Sequence, residues 1–196
     1  MTYTATITSA SLRLRVTRVI ADLLLQGVTD EAWKKAIEEQ NILQMSSIES
    51  IRRISRLLRT RLEPLGHELW KMVRDGGREQ GTQAVFAGAV KNSRLLGDFM
   101  DLTMREQRML FAKKLEPRMW NEYIAGCRGR DPGMPHWSDA TVARLRSAVF
   151  SMLAEAGYLK DTRTLLLQNV FVDSQLAHYL QERRETYVLR CMQVAE

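Results

Sequence analysis

Apolar residues recur at spacings of three and four along almost all of this 196-residue chain, and caps or breakers close each run. That period belongs to helices with one buried stripe. Leu12, Val16, Val19, Ile20, Leu23 and Leu24 predict a first helix over about residues 10–26, stopped by Gly27. Thr29 or Asp30 caps a second, about 30–40, with Trp33 and Ile37 inward. A third carries Ile48, Ile51, Ile54, Leu58 and Leu62. Ser46 and Glu49 have the spacing of a capping box at its start, and Pro64 ends it. A fourth covers about 65–75 and halts at Gly76-Gly77.

Downstream, an Ala- and Val-rich helix of about 79–92 precedes a longer one of about 93–114 with Leu95, Leu96, Phe99, Leu102 and Leu110. Pro117 suits the first turn of a helix that ends near Gly126, and RGRDPGMP then forms a loop. Ser138 caps a helix of about 139–156, with Gly157 in the stop position. Val142, Leu145, Val149, Met152, Leu153 and Ala156 stripe one side of it; Ala140, Ala143, Arg144, Ser147 and Ser151 occupy the other. RTLLLQNVFV has the branched and aromatic residues of short strands, with Gln168-Asn169 as the break. Two closing helices cover about 173–183 and 185–193.

The expected fold is mainly α: a compact bundle of about eight or nine helices, with helix-turn-helix-like elements and a small β wing near residues 160–172. Gly76-Gly77 separates an expected N-terminal lobe, 1–75, from a C-terminal lobe, 78–196, and the two can pack as one unit. The second lobe has the element order of a winged helix-turn-helix: the helix from Pro117, the loop 127–137, the helix from Ser138, and a wing from Lys160 to Val172. A long buried bundle helix followed by a strand gives the same pattern. The connecting loop also exceeds the roughly three-to-four-residue turn of the simple motif.

Charge suggests the partner. The chain carries a net charge of +6, with a sequence pI near 9.6, and 22 of its 29 basic residues are arginine. Arginine forms bidentate contacts with phosphate and guanine. Arg52, Arg53, Arg56, Arg59 and Arg61 fall within ten residues of the third helix, and Arg52, Arg56 and Arg59 share one face. That helix offers only Glu49 to neutralise them, so the row suits a polyanion; a solvated face paired to acids elsewhere is the alternative. Arg128 and Arg130 on the loop, and Arg144 and Arg146 on the following helix, form a second group.

Enzyme signatures are absent. There is no phosphate-binding Gly-rich loop, nucleophile elbow or Cys-His arrangement. His67, His136 and His178 are isolated, so no metal or other cofactor is expected. Asp98 and Asp101, with Arg105 and Arg108 nearby, read as an ion-pair network. Cys127 and Cys191 are expected as free thiols. The first residues lack the apolar core of a signal peptide, and Val19–Leu25 contains Asp22 and is too short to span a bilayer. The expectation is a soluble, cytoplasmic protein with no membrane partner.

The stretches NSRLLGDFMDLTMREQRMLF, WNEYIAGC and WSDATVARLRSAVFSMLAEAGYL resemble the BrxA family of bacteriophage-exclusion (BREX) defence islands. LLLQG before a capped helix, and SSIESIRRISRLLRTRL, fit the same family, so the resemblance covers nearly the whole chain. It implies a cytoplasmic, mostly helical, non-enzymatic protein encoded beside a methyltransferase, a phosphatase-like protein and ATPases. The family is described as DNA-binding and was earlier likened to the RNA-binding protein NusB. It supplies no family-wide set of binding residues. The expected function is double-stranded DNA binding through phosphate contacts by Arg52, Arg53, Arg56, Arg59, Arg128, Arg130, Arg144 and Arg146. RNA binding of the NusB kind, or a scaffold docking other BREX proteins, are the rival expectations.

Overall fold

A computed structural model describes residues 2–7 and 11–194, and ten helices form among them. They are α1 (Leu14–Leu25), α2 (Asp30–Lys34, continued by a π-helical turn, Lys35–Glu39), α3 (Ile48–Leu62, closed by a 3-10 turn, Glu63–Leu65), α4 (His67–Asp75) and α5 (Arg78–Asn92). Next come α6 (Arg94–Asp98, a π-helical turn Phe99–Met104, then Arg105–Met109), α7 (Pro117–Arg130), α8 (Asp139–Glu155), α9 (Ser174–Glu182) and α10 (Thr186–Met192).

Helix α5 is the centre. Ala84, Val85, Phe86, Ala87, Ala89 and Val90 are all fully buried, so it is apolar around its circumference and needs neighbours on every side. Helices α1, α3, α4 and α10 supply them, the first three from before Gly76-Gly77. At Gly88 the α3 backbone comes so close that a Cβ would stand 2.6 Å from the Arg61 carbonyl oxygen. A second nucleus is aromatic. Phe99 of α6 lies 5.3 Å from the Trp120 ring and 5.1 Å from the Tyr123 ring of α7. The Phe150 ring of α8 lies 6.4 Å from that of Trp120, and the Trp120 indole donates to the Val142 carbonyl of α8 at 3.0 Å. These contacts fix α8 on α7.

Several boundaries differ from the sequence reading. Helix α1 begins at Leu14, after Arg13 in the left-handed region (φ 50); residue 10, where the reading began it, lies outside the described residues. The α3 cap is Ser47, whose hydroxyl accepts from the Ser50 amide, so the Ser46/Glu49 box does not form. Helix α6 stops at Met109 instead of running to 114, and α7 continues past Gly126 to Arg130. No regular strand forms over 160–172; two isolated antiparallel bridges, Lys114 with Leu166 and Leu159 with Leu167, stand there. The pairing is non-local because Leu165–Leu167 lies between two other segments. Leu115 donates to the Leu165 carbonyl on one side, and Lys160 donates to the Leu166 carbonyl on the other.

Candidate nucleic-acid interface

The α3 arginines are partly neutralised from outside their helix. Arg52 pairs with Glu38 at 2.6 Å, which holds that carboxyl below its usual range. Arg59 pairs with Glu63 at 2.7 Å and Asp30 at 3.3 Å, and its guanidinium stacks 4.6 Å from the Trp33 ring. Helix α2 therefore supplies acids that the local sequence lacks. Arg53 and Arg56 are exposed. Arg61, the fifth of the cluster, is in the core at 1% exposure and donates to the Ser11 carbonyl. Burial pushes its pKa down to about 10.

The second group lies on α7 and α8. Ser138 caps α8, its hydroxyl accepting from the Thr141 amide at 3.3 Å. Leu145, Val149, Met152 and Leu153 are buried, while Ala140, Ala143, Arg144 and Ser147 are exposed and Arg146 half-buried. Arg128 and Arg130 ride on the last turn of α7, not on a loop, and both are exposed. The Arg130 guanidinium is occupied: it donates to the Tyr3 hydroxyl and the Cys127 sulfur, and lies 5.7 Å from the Tyr123 ring centre. Among the described residues no carboxylate pairs with Arg56, Arg128, Arg144 or Arg146.

After α8 the chain pairs through Leu159 and reverses over 161–164. The Asp161 carboxylate accepts from the Arg163 and Thr164 amides and the Thr164 hydroxyl, which depresses its pKa. Lys160 and Arg163 are exposed at this turn. Helices α3 and α8 approach where the Arg61 Nη2 is 4.0 Å from the Met152 sulfur. Arg52 and Arg144 each lie about 12–14 Å along their helices from that contact. The two arginine groups thus occupy three helices, α3 for the first and α7 with α8 for the second, and not one row.

The acids flagged in the sequence are held internally. Asp98 accepts from the Tyr3 and Tyr187 hydroxyls, both at 2.6 Å, and pairs with Arg94. Burial and the Asp98 hydrogen bond push the Tyr3 pKa up to about 12. Asp101 pairs with Arg105 and Arg190, whereas Arg108 stands outside this network. Cys127 and Cys191 are free and buried. No group of three metal-ligating side chains occurs among the described residues, and no helix there is long and apolar enough to cross a membrane.

Residues 1–184 match the BrxA family. A BREX protein BrxA from Paramagnetospirillum magneticum is 47% identical over 193 residues, covering 98% of this chain and 97% of that one. The chain belongs to the BrxA family. It is thereby a BrxA protein of the BREX phage-defence system. A BREX protein BrxA from Escherichia coli O9:H4 (strain HS) is 31% identical over 81% of this chain and 74% of its own length. The crystal structure of an uncharacterized protein from Magnetospirillum magneticum, 47% identical, superposes with a TM-score of 0.92 over 98% of both chains. The all-helical fold is therefore shared with that structure at the level of the backbone.

Proposed function

We propose that this BrxA-family protein is a non-enzymatic, cytoplasmic double-stranded DNA-binding component of its BREX system, and that α8 is laid against the duplex. The observation that carries this reading is a small-residue face beside arginines that no carboxylate neutralises. Ala140, Ala143 and Ser147 allow close approach to a groove. Arg144, Arg146 and Arg128 flank them and reach phosphates, and the capped α8 N-terminus also favours an anion. The segments at 113–115, 158–160 and 165–168, with α7 and α8 following the first, have the order of a winged helix; α8 is then the reading helix and 161–164 a short wing. Arg130 adds charge more than contact. Helix α3 adds a second group, with Arg56 touching directly, exposed Arg53 beside it, and Arg52 and Arg59 exchanging carboxylates for phosphates. Phosphate contacts position without reading sequence, so preference among duplexes is weak. The two lobes meeting at Gly76-Gly77 each supply one group, and other BREX proteins are natural partners.

Titration of duplex DNA at several salt concentrations, with hairpin and single-stranded RNA as competitors, tests the reading. Duplex is expected to win, with a linear log-log salt dependence. Preference for either RNA overturns it. The α3 contribution is tested apart. Glu38→Gln removes the carboxylate that Arg52 must leave, and sparing the roughly 0–1 kcal/mol of that exposed pair should raise duplex affinity by up to about fivefold. Unchanged affinity removes Arg52 from the interface.

A further inference from the structure

Helix α6 ends in an exposed apolar ridge. Met109 and Leu110 are each 67% exposed and Phe111 is 92% exposed. The closure is a Schellman motif: the Ala112 amide donates to the Gln107 carbonyl, and the Phe111 amide to that of Arg108. The residue at Phe111 must adopt positive φ, here 53°, a position that favours glycine. A phenylalanine there is strained backbone carrying a side chain that the fold leaves in water. The ridge walls a groove of about 760 Å³ with Ala112, Leu167 and Asn169. Across Gln168-Asn169 lies a second groove of about 620 Å³, walled by Phe171, itself 69% exposed.

The surroundings specify the occupant. Lys113 and Lys114 are exposed beside the ridge, and Arg108 lines the groove; no carboxylate pairs with any of them among the described residues. Between residues 105 and 115 the only acid is Glu106. Two copies meeting ridge to ridge would bring these cations together, which disfavours self-association. Position argues against nucleic acid. Residues 113–115 run antiparallel to 165–167, so Phe111 lies at the end away from the 161–164 turn. The second groove adjoins Ala154 and Glu155, eleven residues along α8 from Arg144, or about 16 Å.

We propose that the Met109–Leu110–Phe111 ridge and its lysine rim dock an acidic protein segment carrying an aromatic or aliphatic anchor, leaving the α8 face free. Only the placement of the α8 face rests on the DNA reading; the ridge chemistry stands without it.

The test selects peptides from a random phage-displayed library on the immobilised full-length protein, then measures the leading synthetic peptide by fluorescence anisotropy. Expected are peptides combining carboxylates with Phe, Trp or Leu. Phe111→Gly should lose at least about tenfold in peptide affinity, as should Lys113→Glu with Lys114→Glu, because hot spots are anchors in a charge-matched rim. Phe111→Gly should also raise the thermal midpoint by about 2–4 °C, since relief of the strained position is felt on that scale in a chain of this size. Its duplex affinity should match that of the unaltered protein, which separates failure here from failure of DNA binding. Selection of no peptide, selection without carboxylates, or equal binding by Phe111→Gly overturns the proposal. A lowered midpoint removes the strain argument and overturns it too. A dimer in sedimentation that Phe111→Gly abolishes assigns the ridge to a second copy instead. Weakened duplex binding by Phe111→Gly assigns it to nucleic acid.

Discussion

Alanine at Arg128, Arg144 and Arg146 together should weaken duplex binding about a hundredfold near 0.15 M salt and flatten the log-log salt slope by about 2.7. Each phosphate contact releases about 0.9 of a counterion, so three contacts set both figures. The substitutions should leave folding intact, because none of the three makes an ion pair among the described residues and Leu145, which anchors that part of α8, is untouched. Equilibrium titration at four or more salt concentrations reads slope and affinity together. A triple variant with the original slope would take α8 out of the interface. Arg61 must stay out of any such scan: it is core, and its loss would register as unfolding.

Trp120→Ala should destabilise the fold by about 3–5 kcal/mol. Its side chain is fully buried and joins three helices through the Phe99 and Phe150 rings and its hydrogen bond to Val142. The loss is a large share of the roughly 5–15 kcal/mol that holds a typical domain together. Denaturant unfolding followed by circular dichroism gives the value. Trp120→Phe should lose less, because most of the ring contact survives while the donor to Val142 goes. Equal losses for the two variants would mean that the hydrogen bond, not the packing, holds α8 on α7.

Helices α1 to α4 were legible from apolar stripes, caps and glycine stops, and α5 from its Ala- and Val-rich run, all of them local signals. Of the two caps the sequence offered for α2, Thr29 is the one used, and the halt of α4 at Gly76 and the exposed small residues of α8 are where sequence placed them. What was missed is long-range. Leu110 and Phe111 continue the apolar period of α6, and nothing local says that the helix closes before them; the closure goes with Lys113–Leu115 pairing to residues 50 to 54 positions away. The last turn of α7 survives two glycines because Cys127 is buried and Arg130 is held by Tyr3 and Tyr123. In the same way, Arg52 and Arg59 read as free charges while their acids, Glu38 and Asp30, lie on another helix. Arg61 sits in an arginine run but on the turn that faces α5. A regular wing was expected from branched residues; the segment instead shares its hydrogen bonds between two short neighbours.

The carboxylate of Glu155, at the C-terminal end of α8, accepts from the Leu12 and Arg13 amides at 3.1 and 3.2 Å, just ahead of a helix whose own cap residue offers no side-chain acceptor. One rod thus ends where another is anchored. Any tilt forced on the first as it settles onto a partner must stretch that tether, so these two amides act as a remote gauge: their hydrogen exchange should quicken when the far end of the rod is pulled, without either residue being touched.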